Sequence, residues 1–196
     1  MSTTAPLQIY TIGHSDHTLS EFVALLRQHR IAVLLDVRSA PYSRWVPHFN
    51  KATLEVGCKE AGIDYRYAGQ VLGGRPEDPD LYKDGQTPDA VLPRELYLKR
   101  VDYLEMMQRD PYRRGVARLV EIARELEPKG QRVTVMCSEG DPLSCHRHHL
   151  IARSLVDPTV RVVDAFVEVW HLLRDGSAEA VDPAVFEEPP QQNRLF

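Results

Sequence analysis

The chain has 196 residues, 43 % of them hydrophobic, with 24 Lys and Arg against 28 Asp and Glu for a formal net charge of -4. One domain with a real core fits this length, and no disulfide or metal staple is needed merely to fold it. The charge balance excludes a globally basic coat for nucleic acid but not a local basic site. No apolar run approaches the length of a membrane span, so no membrane partner is expected. Met1 to Leu7 lacks a basic region and an apolar stretch, so no secretory signal is expected. The three cysteines, Cys58, Cys137 and Cys145, then read as thiols in a reducing, cytoplasmic setting.

In chain order, Gln8–Ile12 is a predicted strand ending at Gly13. Thr18 and Glu21 have the spacing of a capping box, opening an amphipathic helix to about Arg30. Ile31–Val37 is a strand apolar enough to be buried on both faces. Asn50 is placed to cap a helix running to Gly62, and Asp64–Tyr67 is a third strand. Arg94–Arg109 and Tyr112–Leu126 read as two helices, the second with Asp110 as N-cap and Pro111 in its first turn. Arg132–Met136 is another buried strand, Leu150–Leu155 is helical, and Val160–Val163 is the last strand. Ala165–Leu173 fits a strand or a helix. Strand–helix–strand alternation implies a single α/β domain, Rossmann-like, with a mostly parallel sheet flanked by helices over residues 1–174. Gly73–Pro93 lacks periodicity and reads as a long loop or lid, and Asp175–Phe196 reads as a flexible tail.

In such a sheet, ligands bind beyond the carboxyl ends of the strands. Three strands there run into polar clusters: Gly13-His14-Ser15, Asp36-Val37-Arg38-Ser39, and Cys137-Ser138-Glu139 continuing to Cys145-His146-Arg147. His14 titrates near neutrality and Asp36 lies beside Arg38, so both suit proton transfer, although a core histidine and an ion pair are the plainer readings. Cys137, leaving a buried strand beside Glu139, and Cys145 stand where a thiol can act as a nucleophile or redox centre; packing alone is the competing account. Leu143 stands where the phosphatase spacing Cys-x5-Arg has arginine, and Glu139 and Asp141 would repel a phosphate, both of which argue against a phosphatase. A metal at Cys137, Cys145 and His146, with His148, His149 or His14 nearby, is the rival reading, although Cys-x7-Cys-His is not a standard zinc spacing. No cofactor is firmly implied.

Ser15, Arg38, Tyr42, Arg44, Trp45 and Arg147 are the candidate substrate contacts, arginine holding phosphate and an aromatic ring stacking a base. Phe49 reads as core, as does Cys58, which shares a helix face with Leu54 and Ala61.

Tyr10-Thr11-Ile12-Gly13-His14-Ser15, Asp36-Val37-Arg38, Ser43-Arg44, Phe49-Asn50, Leu72-Gly73-Gly74 and Cys137-x-Glu139-x-Asp141-Pro142-x-x-Cys145-His146-Arg147 together resemble the family called domain of unknown function 488, from about Ile9 to Val163. The stretch after Gly74 is longer than the family's usual connection. The resemblance supports the fold and the site and leaves the reaction open. The leading expectation is an enzyme on a nucleotide or nucleic-acid substrate, of hydrolase or glycosidase type, in DNA repair or base processing. The alternatives are a cysteine-dependent thiol or redox enzyme on a small molecule, and a non-catalytic binding module. Expected partners are a nucleotide or single-stranded nucleic acid. Gln192, Leu195 and Phe196 resemble the short peptide with which bacterial repair and replication proteins bind the sliding clamp.

Overall fold

The computed structural model describes residues 5–88, 92–160 and 162–186. Its centre is a six-stranded sheet: β1 (Leu7–Gly13), β2 (Ile31–Asp36), β3 (Asp64–Tyr67), β4 (Arg132–Cys137), β5 (Val167–Leu172) and β6 (Ala178–Ala180), in the order β3-β2-β4-β1-β5-β6. Every pairing is parallel except the antiparallel β5–β6 edge. The chain thus forms an α/β domain of the expected Rossmann-like kind. Among the described residues, no helix is long and apolar enough to cross a membrane.

Two layers of helices cover the sheet. On one face lie α1 (Leu19–Gln28) and α2 (Lys51–Glu60), with Phe22, Leu26, Leu54 and Cys58 buried against Ile12, Leu34 and Met136. Burial pushes the Cys58 thiol up to about 12, which leaves it an inert core group. The capping box forms: Glu21 N–H donates to Thr18 Oγ1 at 3.2 Å, and Thr18 N–H to Glu21 Oε2 at 2.8 Å. On the other face, α6 (Asp110–Leu126) buries Val116, Leu119, Val120 and Ala123 against Val133 and Val135. Beside it pack a π-helical segment, Arg147–Ala152, and α7 (Arg153–Val156).

Several boundaries differ from the sequence reading. Arg94–Arg109 is two helices, α4 (Arg94–Arg100) and α5 (Tyr103–Gln108). Val101 leaves the helix to bridge Tyr82, and the Asp102 carboxylate caps α5 by accepting from Glu105 N–H at 3.0 Å. A new cap competes well with one more turn of helix. Asn50 precedes α2, but its side chain accepts from Ser43 N–H at 2.7 Å rather than capping. Asp110 is the first residue of α6, and Arg109 is its cap. Val160, Val162 and Val163 belong to no strand: Asp157 Oδ1 accepts from Thr159 N–H and Oγ1 and holds a turn that ends at Val160. The ambiguous segment supplies β5 instead, in register with β1 from Leu7 to Ile12.

The stretch after Gly73 is partly built in. After the one-turn helix α3 (Gly69–Leu72), a 3-10 turn at Pro79–Leu81 buries Leu81, and Tyr82 is buried in its bridge to Val101. Residues 175–186 are not a free tail either. They carry β6, and the Phe186 ring lies 4.9 Å from that of His148. Gln192, Leu195 and Phe196 lie outside the described residues.

A buried polar chain joins β1, β5 and the π-helical segment. Arg147 donates to Thr11 Oγ1 at 3.1 Å, Thr11 Oγ1 meets His171 Nδ1 at 2.7 Å, and His171 Nε2 meets His148 Nδ1 at 3.1 Å. The His171 Nε2–His148 Nδ1 contact is a hydrogen bond only if one of the two nitrogens accepts, so the two rings cannot both be cations. Burial holds His148 down to about 4 and His171 down to about 3, with the charges of neighbouring His149 and Arg147 adding to the effect. Both groups therefore oppose folding in acid. Above about pH 6.5 neither state is protonated, whereas below it the unfolded chain takes up protons that the folded chain refuses. The melting temperature is expected to fall steadily as pH drops from about 6.5 toward 4, and His171→Gln is expected to make that slope shallower. Thermal denaturation across this pH series checks both.

Candidate functional site

The three central strands end level with one another. Gly13 pairs with Cys137, and Asp36 with Met136. The chains stay in step for one residue more, since His14 N–H donates to Cys137 O and Val37 N–H to Met136 O. All three polar clusters are thereby delivered to one edge, as the strand pattern predicts.

A Cβ on Gly13 would stand 1.7 Å from Glu139 O. Only the absence of a side chain lets the loop after β4 fold down across β1. Arg147 then locks it. Its side chain is fully buried, and Nη2 donates to Glu139 O at 2.5 Å and to Gly140 O at 3.4 Å. Expected as a substrate contact, Arg147 is instead an internal strut. Burial leaves it no access to a ligand, and its guanidinium holds the backbone that carries Glu139.

Asp36 and Arg38 form a second buried unit. Asp36 Oδ1 accepts from Arg38 N–H (3.1 Å) and Nε (2.9 Å), and Oδ2 accepts from Arg38 Nη2 (2.6 Å) and the Tyr65 hydroxyl (2.7 Å). Those four bonds fill the acceptor capacity of the carboxylate, so Asp36 holds Arg38 rather than presenting a free oxygen to solvent. Arg38 also donates to Phe49 O at 2.8 Å, and its Nη1 lies 3.3 Å from His14 Nε2. The His14 ring stacks on Phe49 with centroids 4.3 Å apart. Phe49 is buried, as expected.

The cysteine cluster lies across the strand ends from this pair. Cys137 Sγ is 2.8 Å from Glu139 Oε2 and 3.7 Å from His146 Nδ1; Cys145 Sγ is 3.2 Å and 3.6 Å from the same two atoms. All four residues are buried. Burial, with Cys145 and Glu139 beside it, pushes the Cys137 thiol well up. Burial opposes ionisation of Cys145 as well, but hydrogen bonding from Cys137 and the charges of His146 and Arg147 outweigh it and bring that thiol well down. Gly74 closes the other side of His146, where a Cβ would sit 2.5 Å from imidazole Cγ.

A cleft of about 70 Å³ opens here, lined by Arg38, Arg75, Tyr103, Glu139, Cys145 and His146 among others. A larger groove of about 730 Å³ runs beside it, past Tyr67, Gln70, Asp78, Arg109 and Tyr112. Ser39 and Arg75 line both. The Arg75 guanidinium stacks over the Tyr97 ring at 4.5 Å, and among the described residues no carboxylate pairs with it. Arg75 follows Gly73-Gly74 directly, and that motif was the one available signal for it; nothing in the sequence marks Tyr97 or Tyr103.

Of the other expected contacts, Ser15 adopts a left-handed φ of 47° and donates to Asp16 at 3.2 Å. Tyr42 (74 % exposed) and Trp45 (81 % exposed) stand out from the loop after β2, with the Arg44 guanidinium 5.1 Å from the Trp45 ring. None of these three lines the cleft or the groove.

Because Arg38 is buried against Asp36, removing only the acid strands a charge. Asp36→Ala is expected to cost about 3–5 kcal/mol, with the double change Asp36→Leu/Arg38→Met closer to wild type than Asp36→Ala alone. Urea unfolding of the three proteins checks this.

No curated protein and no solved structure matches the chain. The family model described as domain of unknown function DUF488 matches residues 18–154, which takes in β2, β4 and the whole cysteine cluster but stops short of His14 and Ser15. That match spans more than half of the sequence, and the chain belongs to the DUF488 family.

Proposed function

We propose that the protein is an enzyme acting on an anionic substrate of nucleotide size. The reacting part meets Cys137, Glu139, Cys145 and His146 in the cleft, and the remainder lies in the adjoining groove. The observation that carries this reading is that the two spaces share Ser39 and Arg75 in their walls. The cleft alone is far smaller than the roughly 300–1,000 Å³ typical of ligand pockets, whereas the groove falls within that range. Its position beyond the strand ends is where open α/β sheets bind ligands.

Arg75 is the cation for the substrate's phosphate. Stacking on Tyr97 holds the guanidinium plane, and among the described residues no carboxylate pairs with its hydrogen-bonding edge. Arg38 lines the cleft with its charge already balanced by Asp36, which leaves Arg75 as the principal anion contact. Tyr42, Arg44 and Trp45, exposed on the neighbouring loop, are placed to stack against a longer, single-stranded substrate leaving the groove.

A second reading has a specific observation behind it. Arg147 N–H points at Cys145 Sγ from 3.5 Å, and His146 Nδ1 lies 3.6 Å away. Donors aimed at a sulfur favour a thiolate, which makes Cys145, rather than Cys137, the nucleophile of a thiol enzyme.

Calorimetric titration with nucleosides and their mono- and diphosphates tests the main reading. Nucleotides are expected to bind and nucleosides to bind more weakly. Arg75→Ala is expected to weaken nucleotide binding about tenfold or more, with a larger loss at low salt. Failure of every nucleotide to bind, or equal binding by Arg75→Ala, overturns it.

A further inference from the structure

The cysteine cluster contains an imidazole with no ordinary partner. His146 is buried, yet among the described residues its Nε2 has no hydrogen bond and its Nδ1 meets the two sulfurs. A buried polar group left this way is costly unless something else satisfies it. Cys137 and Cys145 donate to the same carboxylate oxygen, so two thiols, one acid and one imidazole converge on a single point. The Cys137 and Cys145 sulfurs and one His146 ring nitrogen all lie within 4.8 Å of one another.

The spacing has a chemical meaning. A tetrahedral ion bonded to sulfur at about 2.3 Å and to imidazole nitrogen at about 2.0–2.1 Å separates those two atoms by about 3.6 Å. The distances here are 3.7 and 3.6 Å. Both edges of the same nitrogen therefore already have the length that a shared ion would impose. The donors are also rigidly held. Cys137 ends a central strand, Arg147 pins the loop between the two cysteines, and Gly74 presses on the His146 ring.

We propose that Cys137, Cys145 and His146 bind one divalent ion of the zinc type, tetrahedral and sulfur-preferring. Two thiolates and a neutral imidazole suit such an ion and not magnesium or calcium, which take oxygen ligands. Each sulfur binds as a thiolate, so a thiol that still carries its proton gives it up to solvent as its sulfur–metal bond forms. Glu139 Oε2, which accepts from both thiols, exchanges those bonds for a place beside the ion. Three protein donors leave a fourth position, and these residues line the cleft, which is the layout of a catalytic rather than a structural centre. In its catalytic role the ion rests on the proposed function; as a binding site it does not.

The probe is Co²⁺, titrated into the full, metal-stripped chain under reducing conditions. The expected result is one Co²⁺ per chain, with sulfur-to-cobalt charge-transfer bands in the near ultraviolet, visible bands of tetrahedral intensity, and displacement of both by Zn²⁺. Zn²⁺ is also expected to raise the melting temperature. Cys145→Ser and His146→Gln are expected to abolish the tetrahedral spectrum while keeping the far-ultraviolet circular dichroism of the folded chain. Cys58→Ser, altered in the opposite core, is expected to leave it intact. Absence of a stoichiometric tetrahedral spectrum in the folded wild type overturns the proposal, as does its persistence in both site variants. Arg75→Ala separates the two readings: it is expected to lose nucleotide binding and to keep the cobalt spectrum. A wild-type chain that binds nucleotide but no cobalt would remove the metal and leave the proposed substrate standing.

Discussion

The site is built around a charge that never reaches solvent. Arg147 lies wholly inside the domain, and its guanidinium ties the loop after β4 to β1 through Glu139 O and Thr11 Oγ1. A buried guanidinium is tolerated only where acceptors surround it. Here the acceptors are the backbone of the loop that carries Glu139 and a hydroxyl of the neighbouring strand. The contacts that satisfy Nη1 and Nη2 therefore hold the loop between the two cysteines, whereas Nε has no hydrogen-bond partner among the described residues. Gly13 makes this possible by leaving room for the Glu139 carbonyl. The neutral His171–His148 pair continues the network to β5 and the π-helical segment, so the strut, the sheet and the cysteine-bearing loop form one unit.

Asp36 and Arg38 repeat the device on the other side of β4. The carboxylate is saturated by Arg38 and Tyr65, and the arginine it holds lines the cleft. Two buried ion or hydrogen-bond networks thus flank a cleft whose floor is sulfur, carboxylate and imidazole. Such networks specify geometry more than they add stability, because taking charges out of water consumes much of what their attraction returns. The consequence for function is a preorganised cluster. Its donors are held by β4, Gly74 and Arg147 before any ligand arrives, which lowers the ordering cost of binding.

Much of this was legible in the residue pattern. Apolar runs broken by amphipathic segments identified the parallel sheet, the Thr18–Glu21 spacing identified a cap, and polar clusters after three strands located the site edge. What failed did so for identifiable reasons. A cap at Asp102 split one helical pattern in two. Local side-chain bonds at Asp157 set a turn that ends at Val160, where the valine pattern suggests a strand. Short segments are governed by such contacts rather than by periodicity. The loop after Gly73 looked unstructured because its anchors, Leu81 and Tyr82, are buried against residues distant in sequence.

The sequence by itself determined the α/β class, the edge at which chemistry is placed, and the residue types gathered there. These follow from strand periodicity and from the rule that parallel strands deliver their carboxyl ends to one side. Only the tertiary structure decided which of those residues line the cleft. Arg38 and Arg147 are equivalent as letters, yet one lines the cleft and the other is sealed beneath it, because solvent access depends on how the loop after β4 folds across Gly13. Likewise, His146 joins two cysteines at tetrahedral spacing, although a separation of seven residues between those cysteines does not announce it. The convergence is made by a 3-10 turn, which Asp141 caps locally, together with the pinning of the loop by Arg147 across β1, a contact between residues far apart in sequence.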